Sequence, residues 1–290
     1  MSTNDASHPT LGVIGGSGLY DLEGLTDVRE VSLTTPFGAP SDAYRVGRLG
    51  PTRLVFLPRH GRGHKVAPNE INFRANMHGM KQLGVQWIVS VSAVGSMKEE
   101  IRPGDLVVAD QFVDRTRRPS TFFGDGVVGH VSMADPVCPN LAAQLTSAAK
   151  AAGARVHEKG TYVVIDGPQF STRAESRIYR SWGVDVIGMT NMPEAKLARE
   201  AEICYATLAL ATDYDCWHSG EEAVTVTAVL AVMKENVAKA KATIQGIAQA
   251  GPPARTCPCA TAAAHAIMTD RAAVPAAARE RLALLVGRYL

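Results

Sequence analysis

Ile203-Cys-Tyr-Ala-Thr-Leu-Ala-Leu-Ala211, followed at once by Thr212-Asp-Tyr-Asp-Cys-Trp217, is the stretch from which the fold can be read. It is the longest apolar run in the chain, of strand length and without apolar/polar alternation, which predicts a strand buried on both faces. Shorter runs at Leu11–Ile14, Leu54–Leu57, Trp87–Val91, Leu106–Ala109, Tyr162–Ile165 and Val184–Gly188 are dominated by the same residue types. Helical patterns lie between several of them. Ile71, Met77, Met80 and Leu83 fall at helical spacing before Gly84, and the Ala/Leu-rich Leu141–Ala152 stops at Gly153. Thr172-Arg-Ala-Glu175 reads as a capping box opening a helix to about Trp182. Pro193 suits the first turn of a helix over Glu194–Glu202, and Thr227 the N-cap of a long helix to about Gln245. Strands alternating with helices predict an α/β fold with a largely parallel or mixed sheet.

Residues 1–10 read as a flexible N-terminus and 11–250 as the main domain. Residues 251–290 read as a C-terminal extension, opened by Gly251-Pro-Pro-Ala-Arg255 and Cys257-Pro-Cys259 and ending in a helical tail with Leu282, Leu284, Leu285 and Tyr289 available for one face. Across 290 residues, 30 Lys+Arg balance 28 Asp+Glu for a net charge of +2, with 46% hydrophobic and 20% charged residues. That composition excludes a disordered chain and argues against nucleic acid as a partner, which needs a clustered basic excess. No run nears the roughly 20 apolar residues that span a bilayer, so no membrane partner is expected. The first ten residues lack the pattern of a signal peptide, and five unevenly spaced cysteines, Cys138, Cys204, Cys216, Cys257 and Cys259, point to a reducing cytoplasm. Cys257-Pro-Cys259 is open between a redox pair and a structural role.

The residues just beyond the strands carry the chemistry, because ligands of α/β sheets bind outside the carboxyl ends of the strands. Gly15-Gly-Ser-Gly18 can turn backbone N–H groups and the Ser17 hydroxyl toward an anion, or be a simple tight turn. A dinucleotide fingerprint needs glycine where Tyr20 stands, so a nicotinamide-dependent oxidoreductase is disfavoured. Arg59 and His60 add a guanidinium fork and an imidazole, unless Pro58-Arg-His-Gly-Arg-Gly-His64 is only an exposed basic loop. His60 and His64 are four apart, but glycines at 61 and 63 argue against a helical metal pair, and no metal is expected. Ser17, Arg59, His60, Ser92 and Thr190 share one reading, a single phosphate held as a reactant. Asp213 and Asp215 suit a 6-aminopurine: a protonated carboxyl can serve N7 and a carboxylate the exocyclic amine. Breaking a glycosidic bond with N7 protonated needs an acid whose pKa is raised by burial or a neighbouring carboxylate.

Leu11-Gly-Val-Ile-Gly-Gly-Ser-Gly18, Pro58-Arg-His-Gly61, Asn72-Phe-Arg-Ala-Asn76, Gly167-Pro-Gln-Phe-Ser171, Arg173-Ala-Glu-Ser176 and Ala211-Thr-Asp-Tyr-Asp-Cys-Trp217 together resemble the 5'-methylthioadenosine phosphorylase branch of the trimeric purine nucleoside phosphorylase family, over about residues 11–247. The resemblance implies a single α/β domain with a central mixed β-sheet flanked by helices, and a homotrimer with sites near subunit interfaces. It implies no cofactor besides inorganic phosphate as co-substrate, and phosphorolysis of methylthioadenosine. The phosphate ligands it implies are Ser17, Arg59, His60, Ser92, the Ala93 backbone and Thr190. Phe170, Ser171, Met189, Asp213, Tyr214 and Asp215 would receive the nucleoside, with Asp213 and Asp215 catalytic: Asp213 as the acid and Asp215 as the carboxylate that selects adenine. Val226, Val229 and Leu230 would receive the 5' substituent, and His130 would reach the pocket of a neighbouring subunit. A phosphorylase of broader or 6-oxopurine preference is the nearest alternative, and a non-catalytic nucleoside-binding module is the remaining class.

Overall fold

The structure is a computed structural model that describes residues 8–218 and 226–290; for Ser17 and residues 226–231 it describes the backbone alone. In chain order the elements are β1 (Thr10–Gly15), β2 (Thr26–Val31), β3 (Tyr44–Leu49), β4 (Thr52–Pro58), α1 (Phe73–Gln82), β5 (Trp87–Ser96), β6 (Leu106–Val107), β7 (Gln111–Asp114), α2 (Pro139–Ala151), β8 (Val156–His157), β9 (Thr161–Val164), α3 (Arg173–Ser181), β10 (Val186–Gly188), α4 (Asn191–Glu200), β11 (Cys204–Asp213), α5 (Val226–Ala250) and α6 (Ala276–Val286). Each apolar run of the sequence contains strand residues, though the strands at Leu106–Val107 and Val186–Gly188 are shorter than their runs, and most of these residues are buried for the expected reason. On β4, Leu54 and Phe56 enter the core on one side of the sheet while Val55 and Leu57 enter the other.

The strands form one mixed sheet. β4, β1, β5 and β11 run parallel, with β5 paired to β1 at Trp87–Ser90 and to β11 along its length. β10 is the exception: it pairs antiparallel to β5, Val186 with Ser96 and Ile187 with Gly95. Its carboxyl end therefore does not join the row of carboxyl ends that the sequence suggested, but returns toward the middle of β5. β2, β3, β7 and β8 carried no apolar run. β2 is a largely exposed edge strand, and β8 spans two residues.

The helices follow their local signals. The Asn72 side chain accepts the Ala75 N–H at the start of α1, and Thr172 and Glu175 form both bonds of a capping box on α3. Met192 is non-helical, so the regular part of α4 begins at Pro193. α5 runs past the expected stop at Gln245 to Ala250. Gly246 does not break it, because Ala240, Ile244, Ile247 and Ala248 are buried, and Gly251 ends it with φ +80°. In α6, Leu282 and Leu285 enter the core, but Leu284 is 42% exposed and does not share their face. The extension joins the same buried cluster as α1 and α4, and Arg288 and the Tyr289 hydroxyl both reach Glu202. Among the described residues, no helix is long and apolar enough to cross a membrane.

Candidate active site

The site opens where β5 changes partners. On one edge β5 meets β1 up to Ser90 and β10 from Gly95, so Val91–Val94 have no strand beside them there. Arg59 takes the Val91 carbonyl. Backbone groups alternate edges along a strand, so the Ala93 N–H shares that free edge. Ala93 is also the one exposed residue of β5. Into this gap the reversed β10 delivers Met189 and Thr190. The Thr190 hydroxyl is buried without a hydrogen-bond partner, although the Tyr162 hydroxyl stands near it. The Ser92 hydroxyl donates to Asn191 Oδ1 at 2.9 Å and lies 3.3 Å from the Tyr162 hydroxyl. An unpaired buried hydroxyl and an open strand N–H converging on one gap suit a small oxyanion.

Arg59 stands behind the gap. It is 2% exposed, with Nε 2.9 Å and Nη2 3.2 Å from the two oxygens of Glu194. Nη2 also reaches Ser90 Oγ at 2.6 Å and the Ile14 carbonyl at 3.3 Å. Its fork thus joins β1, β4, β5 and α4. Most of its donors are committed to protein acceptors. Burial lowers the guanidinium's affinity for its proton, but Glu194 outweighs this and the net shift is upward.

His60 is half-buried, stacked on His64 at 4.3 Å, and its Nδ1 lies 2.9 Å from the Val66 carbonyl. A carbonyl only accepts, so Nδ1 carries the proton and Nε2 is left as an acceptor. Burial, and then the Arg59 charge, push its pKa down to about 4. A neutral imidazole whose outer nitrogen accepts can bind the O–H of a partly protonated phosphate. The Ser17 side chain lies outside the described residues; its backbone forms a single helical turn over 17–19, opened by the exposed Gly16.

The acidic pair lies at the other end of the gap. A bulge ends the pairing of β11 with β5 between Ala211 and Asp213. Asp213 Oδ1 accepts the Asp215 N–H at 2.8 Å, and its Oδ2 accepts the Thr212 hydroxyl at 2.7 Å. Asp215 adopts φ +52°, a left-handed conformation that Asp tolerates better than most residues, and accepts the Ser176 hydroxyl. Burial raises its pKa, Ser176 and a backbone N–H partly offset this, and Asp213 adds a smaller upward push. Burial thus favours the protonated form of Asp215, while Asp213 accepts from the Thr212 hydroxyl and the Asp215 N–H. Gly95 fits beneath both, since a Cβ there would lie 3.1 Å from Asp213 Oδ1 and 3.2 Å from the Asp215 Cβ.

Ser171 has a buried hydroxyl without a partner, while Phe170 is 57% exposed at the start of the loop that leads to α3. Met189 packs over Gly167, and Arg118 donates to its carbonyl at 2.6 Å. Tyr214 turns outward: its ring stacks on His218 and its hydroxyl reaches the Glu99 carbonyl. His130 is exposed and grouped with Lys196 and Glu200 in the second half of α4, whose first residues come directly after Thr190. The side chains of Val226, Val229 and Leu230 lie outside the described residues. α5, which they open, is tied to the site by Asn236 Nδ2 on the Ala211 carbonyl.

Sequence reasoning missed Asn191, Glu194 and Ser176. Asn191 Nδ2 donates to the Tyr205 hydroxyl and to Thr207 Oγ1, both at 2.7 Å, so it fastens α4 to β11 beneath Ser92. For Asn191 and Glu194 the available signal was weak, since α4 also carries Lys196, Arg199 and Glu200.

The family model described as Phosphorylase superfamily matches residues 10–249. The chain is 60% identical to the S-methyl-5'-thioadenosine phosphorylase of Geobacter sulfurreducens, over 97% of this chain and 99% of that one. It is 56% identical to that of Koribacter versatilis over 96% of each. A crystal structure of methylthioadenosine phosphorylase from an antarctic soil metagenomic library superposes with TM-score 0.89 at 48% identity, over 96% and 99% of the two chains. A variant of the adenosine/methylthioadenosine phosphorylase of Schistosoma mansoni, in complex with methylthioadenosine, superposes with TM-score 0.77 at 38% identity, over 83% and 90%.

Proposed function

The chain belongs to the phosphorylase superfamily, and from that premise we propose that it catalyses phosphorolysis of 5'-methylthioadenosine to adenine and 5-methylthioribose 1-phosphate. The spacing of the two ends of the gap carries this reading. Ala93, beside the unpaired Thr190 hydroxyl, and Gly95, beneath the acidic pair, are two strand residues apart, about 7 Å, which leaves room for a ribose between phosphate and purine.

Phosphate is held by the Ala93 N–H, the hydroxyls of Ser92, Thr190 and Ser17, and His60, with Arg59 bracing the strands that carry them. Ser171 and Phe170 border the purine, and Met189 lies against the sugar. As the bond to C1' loosens, positive charge grows on the ribose and is met by the phosphate from the opposite face, while N7 takes a proton from the acidic pair. We place the resident proton on Asp215, whose burial favours its neutral form, with Asp213 accepting from the exocyclic amine. A 6-oxopurine presents an acceptor to that carboxylate, so inosine is disfavoured. The opening of α5 receives the methylthio group through Val226, Val229 and Leu230. A homotrimer in which His130 serves the neighbouring copy's pocket completes the proposal, and phosphate is the one added reactant.

Methylthioadenosine, adenosine and inosine, each with and without phosphate, test it. Fast, phosphate-dependent release of adenine from methylthioadenosine supports the reading; faster turnover of inosine favours the 6-oxopurine alternative.

A further inference from the structure

Four of the five cysteines converge away from the gap. Cys138 heads α2, Cys204 opens β11, and Cys257 and Cys259 flank Pro258 at the start of the C-terminal extension. Their sulfurs all lie within 4.8 Å of one another, with Cys257 Sγ 3.6 Å from Cys138 and 3.5 Å from Cys204. Cys138, Cys204 and Cys259 are buried, and Cys257 is half-buried. We propose that these four thiols form a structural zinc site, against the expectation of no metal drawn from the sequence.

The spacing suits one ion. A tetrahedral zinc with Zn–S bonds of about 2.3 Å needs its sulfurs about 3.8 Å apart, inside the observed span. An iron–sulfur cluster places its own irons and sulfides between the ligands and needs them further apart. Four thiolates are soft donors that favour zinc over magnesium or calcium, and a complete ligand set leaves no position for substrate, as in structural sites. On loading, each thiol gives its proton to solvent as its Zn–S bond forms, and nothing is oxidised. The complex carries two negative charges, which the surroundings offset. Arg199 is buried with Nη1 3.7 Å from Cys259 Sγ, and Cys138 sits at the N-terminal end of α2, the positive end of its dipole.

The ion joins parts of the chain that the sequence keeps far apart. It fastens the start of the extension to the first residue of β11, whose other end carries the acidic pair. A few residues beyond Cys259, the extension pairs with the loop bearing His130: the His130 N–H donates to the Ala266 carbonyl, and Gly129 bridges to Ile267. Zinc at the cysteines would therefore fix the segment that supports this loop.

The test uses the full chain, purified under reducing conditions without a metal-affinity tag. Elemental analysis should find about one zinc per chain, released when an organomercurial blocks the thiols. Cobalt in its place should show the thiolate-to-metal charge-transfer bands of a tetrathiolate site. Cys259→Ser should reduce bound zinc to below about a tenth of an equivalent, whereas Cys216→Ser, outside the cluster, should retain it. Should Cys259→Ser fail to fold, the cobalt spectrum of the unaltered chain decides. A reduced chain that holds no zinc and takes none from a buffered zinc solution overturns the proposal. So does an intact mass showing that the four cysteines leave the cell joined as disulfides.

Discussion

Replacing Glu194 with Gln tests whether Arg59 braces the site as half of a buried ion pair. Glu194 Oε2 accepts from Arg59 Nε at 2.9 Å, and Oε1 accepts from Arg59 Nη2 at 3.2 Å, Ser90 Oγ at 2.6 Å and the Tyr205 hydroxyl at 2.9 Å. All four partners donate. The amide of Gln keeps the shape but turns one acceptor into a donor, so either orientation sets N–H against N–H or O–H and leaves the guanidinium uncompensated. Both side chains are 2% exposed, so water cannot replace the lost partner. Breaking such a pair costs about 3–5 kcal/mol, a large share of a total stability of about 5–15 kcal/mol. Thermal unfolding should move down by about 6–20 °C. At a temperature where the variant is folded, its KM for phosphate should not rise, because Arg59 becomes more positive beside the anion. A variant that melts within about 2 °C of the unaltered protein refutes the reasoning, since a buried pair cannot be broken at so little cost.

Asp215→Asn should lower kcat by about 10²–10⁴ and remove the fall of activity at high pH, because the carboxyl that must be protonated is gone. Asp213→Asn should also slow turnover but keep that fall and move it to lower pH, since the Asp213 charge is one of the influences raising Asp215. An Asp213 variant that lacks the high-pH fall, beside an Asp215 variant that keeps it, reverses the assignment. For His60, the unfolded chain holds a proton below its ordinary pKa of 6.5 that the folded protein refuses until about 4. Stability should therefore fall as pH drops through that window, and His60→Gln should flatten this part of a denaturation profile; an unchanged profile refutes the neutral imidazole. Gly95→Ala puts a methyl 3.1 Å from Asp213 Oδ1 and should cut kcat several-fold with a melting shift of only a few degrees. Full activity would show that the pair does not depend on that close fit.

The strands that position the site were legible because each is an unbroken apolar run, and one buried on both faces can contain nothing else. β2 and β7 were not, since their residues are half-exposed or exposed and carry no periodic signal. The reversal of β10 was hidden for a different reason: Val186–Gly188 reads the same in either direction, and only its pairing with Ser96 and Gly95 fixes the sense. At the site, Thr190, Ser92 and the acidic pair were read from their place after strands. The partner of Arg59 lies 135 residues away on α4, and no local pattern announces a pair that only the fold brings together. The hydrogen bonds of Asp213 and Asp215 involve Thr212, Ser176 and a left-handed turn, which spacing alone does not reveal. The docking of the extension and the meeting of its two cysteines with Cys138 and Cys204 were equally out of reach.

The central claim is that phosphate, and not water, takes the ribose. Phosphorus NMR of the reaction with methylthioadenosine tests it directly, read beside the adenine released. The account predicts loss of the inorganic phosphate signal and growth of a sugar 1-phosphate signal in equal measure with adenine. Adenine released while the inorganic phosphate signal stays unchanged, with free methylthioribose as the other product, would contradict it.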